Sequence, residues 1–148
     1  MLGSLARKLR ALGLDTAYFR SGDDRDLLSL AESGGKIILT SDRGLATMAA
    51  RRGTAAVFVV GRNDKERVRC LARALRELDL SVTIGDPFCS VCGDPLEKVR
   101  RRDVSGEVPC SVEARHRLFY RCTRCGKVYW RGSHWKRLRT FALILRGR

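Results

Sequence analysis

Two Cys-x-x-Cys knuckles, Cys89-Ser90-Val91-Cys92 and Cys122-Thr123-Arg124-Cys125, constrain the fold of this chain more than any other feature. Four thiolates on two such turns are the ligand set of a closed tetrahedral zinc site. The two-residue gap lets both sulfurs of a knuckle, and the turn amides that stabilise them, face one ion. Gly93 and Gly126 follow the knuckles, where a tight turn asks for positive φ. The competing reading is two disulfide or redox pairs, against which the paired spacing argues. The 29 residues between the knuckles exceed the usual ribbon spacing and leave room for an inserted hairpin or loop. Cys70 and Cys110 have no knuckle partner and are predicted to be free thiols. Cys70 lies off the leucine stripe of its helix, and Cys110 is expected in a loop after Pro109.

A chain of 148 residues, 44% of them hydrophobic, suits one medium domain or a small domain with a metal-stapled module. Periodicity gives way to knuckles and loops at Asp86-Pro87, so the expected division is 1–84 and 85–148. Arg7, Lys8 and Arg10 interrupt any apolar run before Leu12, unlike a secretory signal, and no segment has the length of a transmembrane helix. A cytoplasmic location is expected, where a reducing environment again favours zinc over disulfides. The formal net charge is +14. Residues 1–84 hold 15 Lys/Arg against 10 Asp/Glu, and residues 85–148 hold 15 against 6, net +5 and +9. That asymmetry points to a polyanionic partner, and the aromatics among the basic residues point to nucleic acid rather than a membrane.

In order, Ser4–Leu12 reads as a helix with Leu5, Leu9 and Leu12 on one face, and Thr16–Phe19 as a short strand. Asp24 sits where an N-cap belongs, ahead of a helix that Gly34-Gly35 closes. Lys36–Thr40 is a strand, Ser41-Asp42 opens a helix to about Arg52, and Ala55–Val60 is a second strand. Asn63-Asp64 caps a third helix striped by Val68, Leu71, Leu75 and Leu78. His134–Leu145 is a closing helix with Trp135, Leu138, Phe141 and Ala142 on its apolar side. Strands alternating with helices imply an α/β fold with a parallel sheet flanked by helices, followed by the four-cysteine zinc ribbon. The functional edge of such a sheet is where strands end and helices begin. Asp24, Asp42 and Asp64 fall there, as candidate ligands of a divalent cation or as plain helix caps. Arg100-Arg101-Arg102 reads equally as a solvated hairpin face or a nucleic-acid contact.

These residues resemble the Mut-seven C-terminal RNase family, a PIN-like nuclease domain followed by a zinc ribbon, over nearly the whole chain. Met1-Leu2-Gly3-Ser4-Leu5-Ala6-Arg7 with Leu9-Arg10 is similar to its first helix. Asp24 with Leu27-Leu28 and Ala31 resembles its second acidic motif, and Leu39-Thr40-Ser41-Asp42-Arg43 a third. Cys122 to Trp135, with Gly126-Lys127-Val128-Tyr129-Trp130 and Gly132-Ser133-His134-Trp135, is the most specific match. The resemblance implies a metal-dependent endoribonuclease in which carboxylates hold Mg²⁺ or Mn²⁺ and activate water. Asp24 and Asp42 would be ligands, joined by Asp64 or Asp23, while Arg43 and Arg7 neutralise phosphate. The family carries a further Asp on a strand just before the segment that Met1-Leu2-Gly3 matches. This chain begins at that segment, so the chain as given is expected to show little nuclease activity.

The basic, aromatic end of the ribbon is the candidate RNA surface, with transfer RNA and the ribosome as candidate targets. Trp130, Arg131, His134, Trp135 and Lys136 would bind it, since rings stack on bases while cations meet phosphates. The tryptophans read equally as packing residues, and His134 equally as a brace for the zinc site. Zinc with four thiolates has no open position and would be structural. A non-catalytic RNA- or ribosome-binding protein is the alternative function, and a DNA-binding or transcription-associated ribbon a third.

Overall fold

The computed structural model describes residues 2–19 and 21–147, so Met1 of the first-helix motif lies outside the described residues. The chain forms two units, Met1–Ala6 with Ala17–Ser81 and Ile144–Arg148, and Arg7–Thr16 with Val82–Leu143. Helix α1 (Gly3–Ala11) begins in the first and ends in the second.

The first unit is built on a two-stranded parallel sheet. Strand β1 (Ile38–Thr40) pairs with β2 (Ala56–Phe58), Leu39 opposite Val57. Parallel strands need a crossover, and α3 (Arg43–Arg52) supplies it. Asp42 starts α3 by accepting hydrogen bonds from the amides of Gly44 at 2.6 Å and Leu45 at 3.1 Å. Leu28 and Ala31 of α2 (Asp24–Ser33) pack with Ile38 of β1 and Leu45 and Ala49 of α3, forming one buried cluster. Helix α4 (Asp64–Glu77) buries Val68, Leu71, Ala72 and Leu75, the spacing of an amphipathic helix. The expected α/β layer of parallel strands and helices is therefore present.

Several local expectations are corrected. Both strands are shorter than the apolar runs, and at the start of the first run the Lys36 amide donates to the carbonyl of Ala31 at the end of α2. Thr16–Phe19 forms no strand, and the carbonyl of Thr16 accepts from the Arg10 side chain instead of a neighbouring strand. Asp23, not Asp24, caps α2, accepting from the amide of Arg25, which leaves Asp24 in the first helical turn. Leu78 leaves the stripe: α4 stops at Glu77 and Leu78 is 49% exposed.

The second unit carries an antiparallel sheet in the order β3 (Leu96–Arg100), β4 (Leu118–Cys122), β5 (Val128–Trp130). Leu96 stands opposite Cys122, and Tyr120 opposite Tyr129. The long segment between the knuckles does form an antiparallel strand pair, β3 with β4, and the connection between these strands is partly helical. A 3₁₀ turn (Arg101–Val104) and a short helix, α5 (Cys110–Arg115), bring Val104 and Val108 onto Phe119 as a buried core. Cys110 accordingly opens a helix instead of lying in a loop, and both Cys70 and Cys110 are free thiols. Two residues of the Arg100–Arg102 run lie in the 3₁₀ turn, and all three are exposed. Helix α6 spans His134–Leu145, as expected from its periodicity, with Trp135, Leu138, Phe141 and Ala142 half-buried.

Candidate metal centre

Both knuckles fold by the same local rule. In the first, the amide of Gly93 donates to the carbonyl of Cys89 at 2.9 Å, and the amide of Cys89 to the carbonyl of Asp94 at 2.8 Å. In the second, Gly126 donates to Cys122 at 3.1 Å and Cys122 to Lys127 at 3.0 Å. Gly93 and Gly126 have φ of 91° and 72°, left-handed conformations in which a side chain would be strained. The first knuckle joins the strand region through a bridge from Phe88 to Pro95, and the second turns between β4 and β5.

These turns bring the four sulfurs of Cys89, Cys92, Cys122 and Cys125 within 4.8 Å of one another. Cys89 and Cys125 lie 3.6 Å apart, and Cys92 and Cys122 3.3 Å. A disulfide would need about 2.05 Å, so these are thiols. Four sulfurs about 2.3 Å from a common zinc would stand roughly 3.8 Å apart, which matches the cluster. Cys89 and Cys122 are buried, whereas Cys125 is exposed. The donor set and its spacing thus fit a zinc ion.

The thiols also influence each other electrostatically. Burial pushes the Cys89 thiol up, but hydrogen bonds from the Tyr129 hydroxyl and the Cys92 and Val91 amides outweigh it and bring it to about 6. For Cys92 the Asp94 amide pulls down, and burial with the Asp94 carboxylate and neighbouring thiols pushes it up overall. For Cys125 the Lys127 amide pulls down, but burial with the Cys122 and Cys89 thiols pushes it up overall. Crowded thiols cannot all ionise alone, and a dication displaces their remaining protons.

Tyr129, which the sequence singled out only as part of a motif, stands next to this group. Its hydroxyl is 3.1 Å from the Cys89 sulfur and 3.3 Å from the Ser90 hydroxyl. Burial, and then the Cys89 contact, raise Tyr129 to about 12, so it stays a hydrogen-bond donor at neutral pH. Tyr129 thus braces a cluster thiol from β5, as Asp94 and the Lys127 amide do from the residues just after each knuckle, and among the described residues no hydrogen bond from His134 to the cluster is seen. Its signal was the alternation of β5, which turns Tyr129 and Trp130 to opposite faces.

Asp42 is the cap of α3, and Asp24 lies exposed in the first turn of α2. Asp64, in the first turn of α4, accepts from the Ser4 hydroxyl and pairs with Arg67 at 3.3 Å. Among the described residues the four cysteines are the group of three or more potential ligands that converges, and Asp24, Asp42 and Asp64 form no second one. The Arg43 guanidinium lies 5.4 Å from the Phe58 ring centre, and Arg7 is exposed on α1. Around the start of α6, Arg131 stacks 4.7 Å from the ring centre of Trp135, with exposed His134 and Lys136 beside it and Trp130 37% exposed. No helix among the described residues is long and apolar enough to cross a membrane.

A human protein described as an exonuclease mut-7 homolog is 25% identical over 215 aligned positions, covering 95% of this chain and 24% of its own length. The chain thus spans about a quarter of that relative. No solved structure matches it. A family model described as the Mut7-C RNAse domain matches residues 1–142. With the α/β layer, the clustered cysteines and that match over nearly its whole length, the chain belongs to the Mut7-C RNAse domain family.

Proposed function

We propose that this chain is an RNA-directed, nuclease-type module: an α/β domain over residues 1–84 and a zinc ribbon with its closing helix over 85–148. The four-thiol cluster, followed at once by a basic aromatic segment, is the observation that carries this reading. Zn²⁺ on Cys89, Cys92, Cys122 and Cys125 is structural, because four sulfurs leave no open position for chemistry. It holds the turns from which Trp130, Arg131, His134, Trp135 and Lys136 reach RNA. The exposed Trp130 ring offers a face for stacking, and the Arg131 guanidinium lying on the half-buried Trp135 ring joins stacking to phosphate charge. Arg7 and Arg43 add positive charge along the substrate. The family and the human relative's description support hydrolysis of a phosphodiester, with Asp24, Asp42 and Asp64 as the residues to test.

Asp24, Asp42 and Asp64 do not converge as a group of three ligands among the described residues, and no step is routed through a Mg²⁺ or Mn²⁺ ion. The Arg131–Trp135 stack also supports a second reading, a ribbon that binds RNA or the ribosome without cutting it. One set of assays separates the two. Salt-dependent binding of single-stranded RNA is expected, with Arg131→Glu/Lys136→Glu weakening it about tenfold or more and lowering the salt slope by roughly 0.7 per lost phosphate contact. Mg²⁺- or Mn²⁺-dependent cleavage that disappears in Asp42→Asn supports the nuclease. Binding with no cleavage in either metal supports the second reading, and no RNA binding at any salt overturns both.

A further inference from the structure

Arg10 is a charged residue in an unexpected place: on α1, yet only 6% exposed. Its Nε donates to the carbonyl of Thr16 at 2.6 Å, and its Nη1 to the carbonyl of Val91, inside the first knuckle, at 3.2 Å. The backbone joins in, the Phe88 amide donating to the Arg10 carbonyl at 2.9 Å. A Cβ on Gly93 would stand 3.1 Å from Nε and 3.2 Å from Cζ, so the guanidinium lies against the residue that closes the knuckle.

A guanidinium carries a permanent charge, and burying one without an anion is costly. Both hydrogen bonds of the Arg10 side chain go to carbonyl oxygens, and no ion pair of Arg10 with a carboxylate is seen among the described residues. The C-terminal end of α1 offers only partial negative charge. Zinc with four thiolates, by contrast, has a formal charge of −2. We propose that Arg10 is the buried counter-cation of the zinc–thiolate group, a positioning residue that ties α1 to the occupied knuckle. The carbonyl of Val91 gives it direction, and the thiolate charge compensates its own. By linkage, zinc then stabilises the burial of Arg10 as much as Arg10 stabilises zinc.

This rests on the zinc reading, and one experiment keeps the two apart. Elemental analysis of the full chain should show one zinc, and competition with a chromogenic chelator then measures its retention. Arg10→Met should lose zinc at a chelator concentration at least about tenfold lower, equivalent to about 1.4 kcal/mol. Arg10→Lys, which restores charge without the fork, should recover part of that loss. Lys and Met variants that lose zinc equally, or a Met variant that keeps it like the parent, overturn the proposal while zinc stands. A parent without zinc overturns the zinc reading itself. If the variants fail to fold, hydrogen exchange of the unaltered chain decides. Amides from Leu9 to Leu14 should lose protection as the chelator removes zinc, and unchanged protection there overturns the proposal.

Discussion

Asp42 shows how one residue can satisfy a structural demand and remain a candidate for chemistry. Its Oδ1 accepts from two amides at the start of α3, which answers for one carboxylate oxygen and leaves Oδ2 without a hydrogen bond of this kind. An Asn side chain offers the same cap, whereas Ala offers none. Asp42→Ala should therefore cost about 1 kcal/mol in a denaturant melt, and Asp42→Asn only a few tenths. With stability so conserved, any cleavage lost in Asp42→Asn reports a lost ligand or base. Equal destabilisation by both substitutions would mean that the carboxylate's charge, not its cap, supports the helix. Tyr129 is a residue of the other kind, since its hydroxyl meets a cluster sulfur and the Ser90 hydroxyl of the same knuckle and caps no helix.

Among the elements, β4 does most to order the second unit. Its Phe119 is fully buried under the 3₁₀ turn, and its Arg121 reaches over the same insertion. Arg121 makes two bonds to the Glu107 carboxylate, at 2.8 and 2.9 Å, and one to the carbonyl of Asp103 at 2.8 Å. The hydrogen bond from Arg121 holds Glu107 below the ordinary carboxylate range. A carboxyl lowered in the folded state stabilises it above the unfolded pKa, and the contribution fades as pH falls through the folded value. Glu107→Gln should thus lower the midpoint of unfolding at neutral pH, with the gap to the parent closing in acid. A gap independent of pH would assign the effect to packing. Glu107 is half exposed, so solvent screens this pair and the shift will be small.

At the scale of the molecule, the second unit has a small apolar core and a four-thiol group at its end. With zinc on these thiols, as proposed above, a module of this size would be stabilised chiefly by the metal, because unfolded cysteines bind zinc far less well than a preformed cluster. Cys89→Ser, or chelation of the parent, should unfold residues 82–143 as followed by near-ultraviolet circular dichroism of Trp130 and Trp135. Acid should release zinc in the same way, since protons compete for the thiolates. Retention of the tryptophan signal without metal would show that Val104, Val108 and Phe119 hold this unit unaided.

What the sequence by itself determined was local. Ligand type and a two-residue spacing specify a metal knuckle with little reference to the rest of the fold, and the sulfurs of both knuckles do meet. Helix periodicity likewise located α3, α4 and α6 to within a residue or two at their ends, because a stripe at a spacing of 3.6 and an Asx cap act within one or two turns. Tertiary structure decided the rest. Thr16–Phe19 has the composition of a strand, yet its first carbonyl is taken by Arg10. Arg10 looks like a solvent-facing residue of a basic helix, and it is buried against a carbonyl 81 positions away. Tyr129 meets Cys89 across 40 positions. Whether a polar side chain is covered depends on which distant segment folds over it, and no periodicity along the chain carries that information.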